Sequence, residues 1–343
     1  MSNCEKIMKK NIQKKAIIFL LFASLFLAVA CGKDDSWKFA VISDTQGNHA
    51  IEECINRPVL EKIAADIVAE KARIVLVSGD LVNGWIRNYG KDFPEQYADW
   101  KAAMKPVYDA NIEVYPVRGN HDDGPELLVL PPLPPEREPA PGALKRLRAA
   151  YRDAFKEYSY LPDGPDGKDG FGYSFEYRNA FFVGMDLYNG EQHRVNLKWL
   201  ACELEGNTQR HVFIYGHEPA FEVIHKDNLS YYREERDLFW DMIGSAGGKI
   251  YFCGHDHIYN RSQIADSTGN KIWQLIAGTG GGRLRKWEGP YKDANVIGQY
   301  HNQDYHGYVL VTINGSKAII KWKALIDELA GKWKVLDVFS YRH

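Results

Sequence analysis

Phe39-Ala40-Val41-Ile42-Ser43-Asp44-Thr45-Gln46 runs four apolar residues straight into a polar knot. Short apolar, partly β-branched runs that end in polar residues or Gly mark buried strands. The same design recurs in Ile74-Val75-Leu76-Val77-Ser78-Gly79-Asp80 and in Val114-Tyr115-Pro116-Val117-Arg118-Gly119-Asn120-His121-Asp122. It returns in Val212-Phe213-Ile214-Tyr215-Gly216-His217-Glu218 and in Ile250-Tyr251-Phe252-Cys253-Gly254-His255-Asp256-His257. A parallel sheet aligns the carboxyl ends of its strands along one edge, where open α/β folds place their ligands. Residues spread over more than two hundred positions would then meet at one point. The types gathered are carboxylates, imidazoles and the amides of Asn120 and Gln46, a nitrogen and oxygen set suited to borderline divalent metals.

In order and spacing, Asp44-x-Gln46, Gly79-Asp80-x-x-Asn83, Gly119-Asn120-His121-Asp122, Gly216-His217 and Gly254-His255-x-His257 resemble the calcineurin-like metallophosphoesterases. The resemblance covers roughly residues 38 to 312. It implies an α/β fold of two mixed β-sheets packed face to face and flanked by helices, with a two-metal site that hydrolyses phosphate esters through a metal-bridging water. By the same resemblance Asp44 and His257 hold one metal, with Gln46 in the place of a ligand where either its carbonyl or a water completes the site; Asp80 bridges both, and Asn120, His217 and His255 complete the second. The metals implied are two divalent or trivalent ions, Mn, Fe or Zn. His121 is implied as the catalytic residue beside the phosphate, a role that suits imidazole near neutral pH.

Two positions depart from the family pattern. Gln46 stands where His is usual, and a neutral amide is the weaker ligand. Asn83 stands where many relatives carry an Asp that orients the histidine matching His121; an Asn amide would hold the ring less firmly. Both bear on tuning and leave the reaction class unchanged.

The amino terminus bears on location. Lys6, Lys9, Lys10, Lys14 and Lys15 precede an apolar run from Ala16 to Ala30, too short for a typical membrane span and right for a secretory signal. Leu27-Ala28-Val29-Ala30-Cys31 resembles a bacterial lipoprotein box, which makes Cys31 the expected lipidated residue. Residues 1–30 then form the signal, 31–37 an anchor linker and 38–343 the metallophosphoesterase domain, with an insertion at about 123–172. The expected location is the outer membrane, on its periplasmic side or at the cell surface, held by the lipid.

Removing residues 1–30, with five Lys and one Glu, shifts the formal net charge from −2 to −6. A mildly acidic surface gives no support for a general nucleic-acid partner. The expected partners are a small phosphate-ester substrate and, through the anchor, a membrane. Cys54, Cys202 and Cys253 read as small buried residues, and none demands a disulfide. Helical spacing is visible at Val59–Val68, Tyr97–Tyr108 and Leu197–Leu204, and Asn314-Gly315 marks a hairpin turn. A strand from Ala180 to Met185 ends at Asp186, which reads as structural.

Two stretches are candidates for substrate selection. Pro131-Pro132-Leu133-Pro134-Pro135 opens the insertion and is a candidate wall or lid. Gly278-Thr279-Gly280-Gly281-Gly282 reads most simply as a tight turn leaving a strand; it is also a candidate phosphate-binding turn, with Arg283 and Arg285 as candidate substrate contacts. Of the remaining histidines, His193, His211, His225 and His301 read as surface or structural. His49 and His306 are candidate outer partners of the metal site. A nuclease and a non-catalytic lipoprotein binding a phosphorylated glycan or lipid are the alternative functions. The first lacks the expected basic surface, and the second would normally have lost several ligands.

Overall fold

The computed structural model describes residues 36–47, 53–84, 91–124, 142–162, 164–165, 171–188 and 191–343. The signal segment, Cys31, His49 and the proline run from Pro131 lie outside these residues. Among the described residues no helix is long and apolar enough to cross a membrane.

Among the described residues thirteen strands form two mixed sheets, as the family resemblance implies. In the first, β1 (Trp37–Ile42) runs parallel to β2 (Ile74–Ser78), and β2 parallel to β3 (Glu113–Val117). On the other side of β1 lie the antiparallel strands β11 (Gly307–Asn314), β12 (Lys317–Asp327) and β13 (Lys332–Arg342). Gly315 makes the β11–β12 turn with φ +57°, as the Asn-Gly pair foretells.

The second sheet has a parallel centre of β5 (Ala180–Gly184), β6 (His211–Tyr215), β7 (Ile250–Cys253) and β9 (Lys271–Ala277). Antiparallel β4 (Tyr173–Tyr177) lies outside β5, while β8 (Tyr259–Ala265) and β10 (Ile297–Asn302) lie outside β9.

Strand side chains alternate between faces, and here each face has its own core. Trp37, Phe39 and Val41 of β1 join Phe213 and Tyr215 of β6 in an apolar layer between the sheets. Phe39 and Phe213 meet edge to face, ring centres 5.0 Å apart. The intervening Ala40 and Ile42 face the helix Arg57–Ala69, which turns Val59, Leu60, Ile63, Ala64 and Ile67 inward at helical spacing. Val212 and Ile214 point the other way, toward the helices Leu197–Glu205 and Arg233–Ser245. The result is four layers: helix, sheet, sheet, helix.

Tyr97–Tyr108, expected as one helix, is two: Phe93–Ala103 and Lys105–Asp109. Pro106 has no N–H for the bond that would continue the first. Cys54 and Cys253 are buried and free. Cys202 is half-buried on the helix Leu197–Glu205, which corrects its reading as a small core residue. Asp186 is structural: both its oxygens accept from the buried Arg118.

Candidate metal centre

The polar knots converge at the seam between the sheets. β1, β2 and β3 deliver Asp44, Asp80 and Asn120 from one side; β6 and β7 deliver His217, His255 and His257 from the other. Asp44, Asp80, His255 and His257 all have positive φ, +57°, +54°, +72° and +43°. Only eight non-Gly residues do so among those described, so half of these unfavourable conformations fall on candidate ligands. Gly119 is required by closeness, since a Cβ there would sit 2.1 Å from Asp80 Oδ1.

Two clusters share Asp80. In the first, donor atoms of Asp44, Asp80 and His257 all lie within 4.8 Å of one another, and His257 Nε2 is 3.4 Å from Asp44 Oδ1. The Gln46 amide nitrogen stands 3.0 Å from Asp80 Oδ2 and 3.1 Å from His257 Nε2. In the second, Asn120 Oδ1 lies 2.9 Å from His217 Nε2 and 3.0 Å from His255 Nδ1, and Asp80 Oδ2 is 3.3 Å from His217 Nε2. Oδ2 is therefore the Asp80 atom that faces both clusters. Its Oδ1 accepts the His121 backbone N–H at 2.8 Å.

The tautomers decide what this packing means. His217 Nδ1 is 2.8 Å from the Ser78 carbonyl, and His257 Nδ1 is 2.9 Å from the Arg283 carbonyl. A carbonyl only accepts, so each Nδ1 carries the proton. In a neutral ring Nε2 is then a lone pair, and at His217 that lone pair confronts the oxygens of Asn120 and Asp80. Such an array is repulsive unless a proton or a cation lies among the atoms. Two donors about 2.0–2.2 Å from one ion sit roughly 3 to 3.5 Å apart, the range of these separations. Ligating histidines almost always give the other ring N–H to a carbonyl or carboxylate, and these two do. Gln46 Oε1 is buried with no partner. The two ends of an amide are isosteric, so a half-turn would bring that oxygen to the place between Asp80 and His257. The residues fit a metal pair.

The electrostatics agree. Burial pushes the Asp44 carboxyl up to about 6. At Asp80 burial also acts upward, but the imidazoles of His217, His121 and His255 outweigh it and hold the carboxyl below its usual range. His217 is carried up to about 10 although burial opposes its charge, because Asp80 and Asp44 face it and the Ser78 carbonyl takes its N–H. Burial drives His257 down to about 3. In the metal-free chain a proton on His217 thus supplies the positive charge that these oxygens demand.

A family model for calcineurin-like phosphoesterases matches residues 38–259. The chain belongs to that family. The purple acid phosphatase of yellow lupin (Lupinus luteus) seeds is similar with TM-score 0.64 at 16% identity over 90% of this chain, which spans 54% of the lupin enzyme. PhoD gives 0.63 at 16% identity, over 92% of this chain and 71% of its own. A dimetal phosphatase from Danio rerio gives 0.50 at 15% identity, over 89% and 98%. At such identities these likenesses speak for the shared fold. By sequence, no curated protein matches the chain.

In this chain Asn83 departs from expectation, while the glycine run is the tight turn of the simpler reading. Asn83 does meet His121, but through its backbone carbonyl, 2.8 Å from His121 Nδ1; its side-chain amide donates instead to Gly47. The glycine turn is no open cradle, since Gly280 N–H and Gly282 N–H donate to the Ser43 and Asp44 carbonyls. Arg283 and Arg285 are exposed beside His257, bonded to it through their backbones.

His225 was missed as a site neighbour. Its ring centre lies 4.6 Å from that of His255 and 6.4 Å from that of His257. Buried Asp256 fixes it, taking both its Nδ1 and its backbone N–H. Asp227, also missed, brings Oδ2 to 3.5 Å from His255 Nε2. The available signal was position alone: the segment containing both directly follows Gly216-His217.

Proposed function

We propose that this chain hydrolyses phosphate esters at a two-metal centre held by Asp44, Gln46, Asp80, Asn120, His217, His255 and His257. The observation that supports it best is the confrontation of the His217 lone pair with the Asn120 and Asp80 oxygens, which a bound cation relieves. Two divalent or trivalent ions, Mn, Fe or Zn, would supply Lewis-acid activation of water and neutralise the phosphoryl charge.

The chain's own groups do the rest. Asp80 holds the two clusters together through Oδ2. His121, half-buried and oriented through Nδ1 by the Asn83 carbonyl, keeps Nε2 available to protonate the departing oxygen. His225, fixed by Asp256, offers a second ring nitrogen on the His255 side. Arg283 and Arg285, exposed beside His257, are the proposed partners of phosphate oxygens on that side.

The substrate is a small phosphate ester rather than a nucleic acid, in keeping with the acidic net charge. Cys31 anchors the protein by lipid to the outer membrane; Cys31→Ser should abolish incorporation of labelled fatty acid, and a variant still carrying lipid would refute the anchor. The activity is tested by offering the manganese-loaded chain p-nitrophenyl phosphate, bis-p-nitrophenyl phosphate, nucleotides and phospholipid head groups. Turnover of at least one is expected. A metal-loaded chain that cleaves none of them is the non-catalytic alternative.

A further inference from the structure

His306 lies on the loop before β11, nearly fifty residues beyond the last candidate ligand, His257. Its Nδ1 is 2.5 Å from Glu328 Oε1, and its Nε2 is 3.2 Å from the Gly282 carbonyl. The ring is 14% exposed, and Glu328, at 51%, reaches in from the chain after β12.

What makes this pair informative is where Gly282 sits. Its N–H donates to the Asp44 carbonyl at 2.7 Å. A Cβ on it would lie 2.9 Å from His257 Cε1, so the glycine backbone is pressed against that ring. The next residue, Arg283, gives the carbonyl that fixes the His257 tautomer. One peptide segment thus backs Asp44 and His257 together, and His306 holds it from behind. The surrounding backbone is tied as well: Gly307 N–H donates to Thr279, and Leu325 N–H to the His306 carbonyl. His306 is the side chain that reaches the Gly282 carbonyl itself.

We propose that His306, backed by Glu328, is a positioning residue for the first metal, the one assigned to Asp44, Gln46 and His257. The inference rests on the two-metal reading above but not on turnover. Removing the His306 hydrogen bond frees the Gly282–Arg283 segment to shift, and His257 loses its fixed tautomer and aim. Outer partners of metal ligands typically contribute 10–100-fold in affinity. The second site, built from Asn120, His217 and His255, receives its outer contacts from Ser78 and Asp227 and meets this segment only indirectly, through the His255 backbone N–H that the Asp44 carboxylate accepts. The effect should therefore fall on one metal of two.

The test is titration of the chelator-treated full chain with manganese, followed by calorimetry and by the spin-resonance signal of the bound ion. His257→Ala identifies the first site as the one it abolishes. His306→Ala should weaken that site by about 10-fold or more and leave the other unchanged. His306→Gln, whose amide can still donate to the Gly282 carbonyl, should recover most of the loss. Glu328→Gln should fall between, and being exposed it keeps the test available if His306→Ala does not fold. Equal weakening of both sites, no weakening, a Gln variant as poor as the Ala variant, or a wild type that binds no metal would each overturn the proposal. A selective metal effect without phosphoester turnover would instead remove only the proposed activity.

Discussion

His217 Nε2 stands 2.9 Å from Asn120 Oδ1 while His217 Nδ1 is committed to the Ser78 carbonyl. In the metal-free chain a proton on His217 Nε2 satisfies both this oxygen and Asp80 Oδ2 at 3.3 Å, and metal must take that proton's place. The ring lies carried up to about 10, with Asp80 outweighing the burial that opposes its charge. Between pH 7 and 9 the metal-free ring is therefore charged, and binding releases a proton. Apparent affinity at the second site should rise about tenfold per pH unit over that window. Calorimetry in two buffers of different ionisation enthalpy measures the release. Heats independent of buffer at pH 8 would show that the ring is already neutral.

The orientation of His121 by a backbone carbonyl separates two variants that the sequence alone would group. His121→Ala should lower kcat by about 10²–10⁴ while metal content stays at the wild-type level, the usual range for general acid–base help. Asn83→Ala keeps the carbonyl and should lose less than about tenfold. Steady-state kinetics with metal analysis checks both. Equal losses would return the orienting role to the Asn83 side chain, and a His121 variant stripped of metal would make it a ligand.

Gln46 faces Asp80 and His257 with a buried amide. A neutral amide binds more weakly than imidazole, so the first site should empty first on dialysis against chelator. Gln46→His should tighten it and flatten the dependence of activity on added manganese. Stoichiometry against free metal for both forms is the measurement. A wild type no looser than the variant would show that the amide does not weaken the site.

Below the Gly119–Gly124 loop, Arg118 binds Asp123 and Asp186 and lies over the Phe171 ring, its guanidinium carbon 3.9 Å from the centroid. All three charged groups are almost fully buried. Arg118→Met would leave buried Asp186 without its cation and Asp123 with Arg148 alone, a loss of about 3–5 kcal/mol for a broken buried pair. Urea unfolding of the metal-free protein should show it. A change within about 1 kcal/mol would mean that water or Arg148, which also binds Asp123, takes over.

Much of this arrangement is legible in the sequence, for a physical reason. Asp44, Asp80, Asn120, His217, His255 and His257 each sit at or within a few residues of a strand end, so a short continuous apolar run followed by a polar knot reveals both the strand and the side chain. Which atom acts is not legible that way. Asn83 serves His121 through its carbonyl, a group every residue has, so its identity could not announce the contact. Nor could spacing reveal that the strand ends belong to two sheets. β1 pairs with β11, over 260 positions away, and only that long-range pairing splits the sheet. His225 and Asp227 stayed hidden because their segment has no strand or helix periodicity. The glycine run is the tight turn of the simpler reading, with the Gly280 and Gly282 N–H groups spent on Ser43 and Asp44.

The most direct test of the central claim is titration of chelator-treated protein with manganese while p-nitrophenyl phosphate or bis-p-nitrophenyl phosphate turnover is recorded. The expected result is no turnover without metal and a rise in two phases that ends at two equivalents per chain. Turnover undiminished in the metal-free protein, or complete at one equivalent, would contradict the two-metal account.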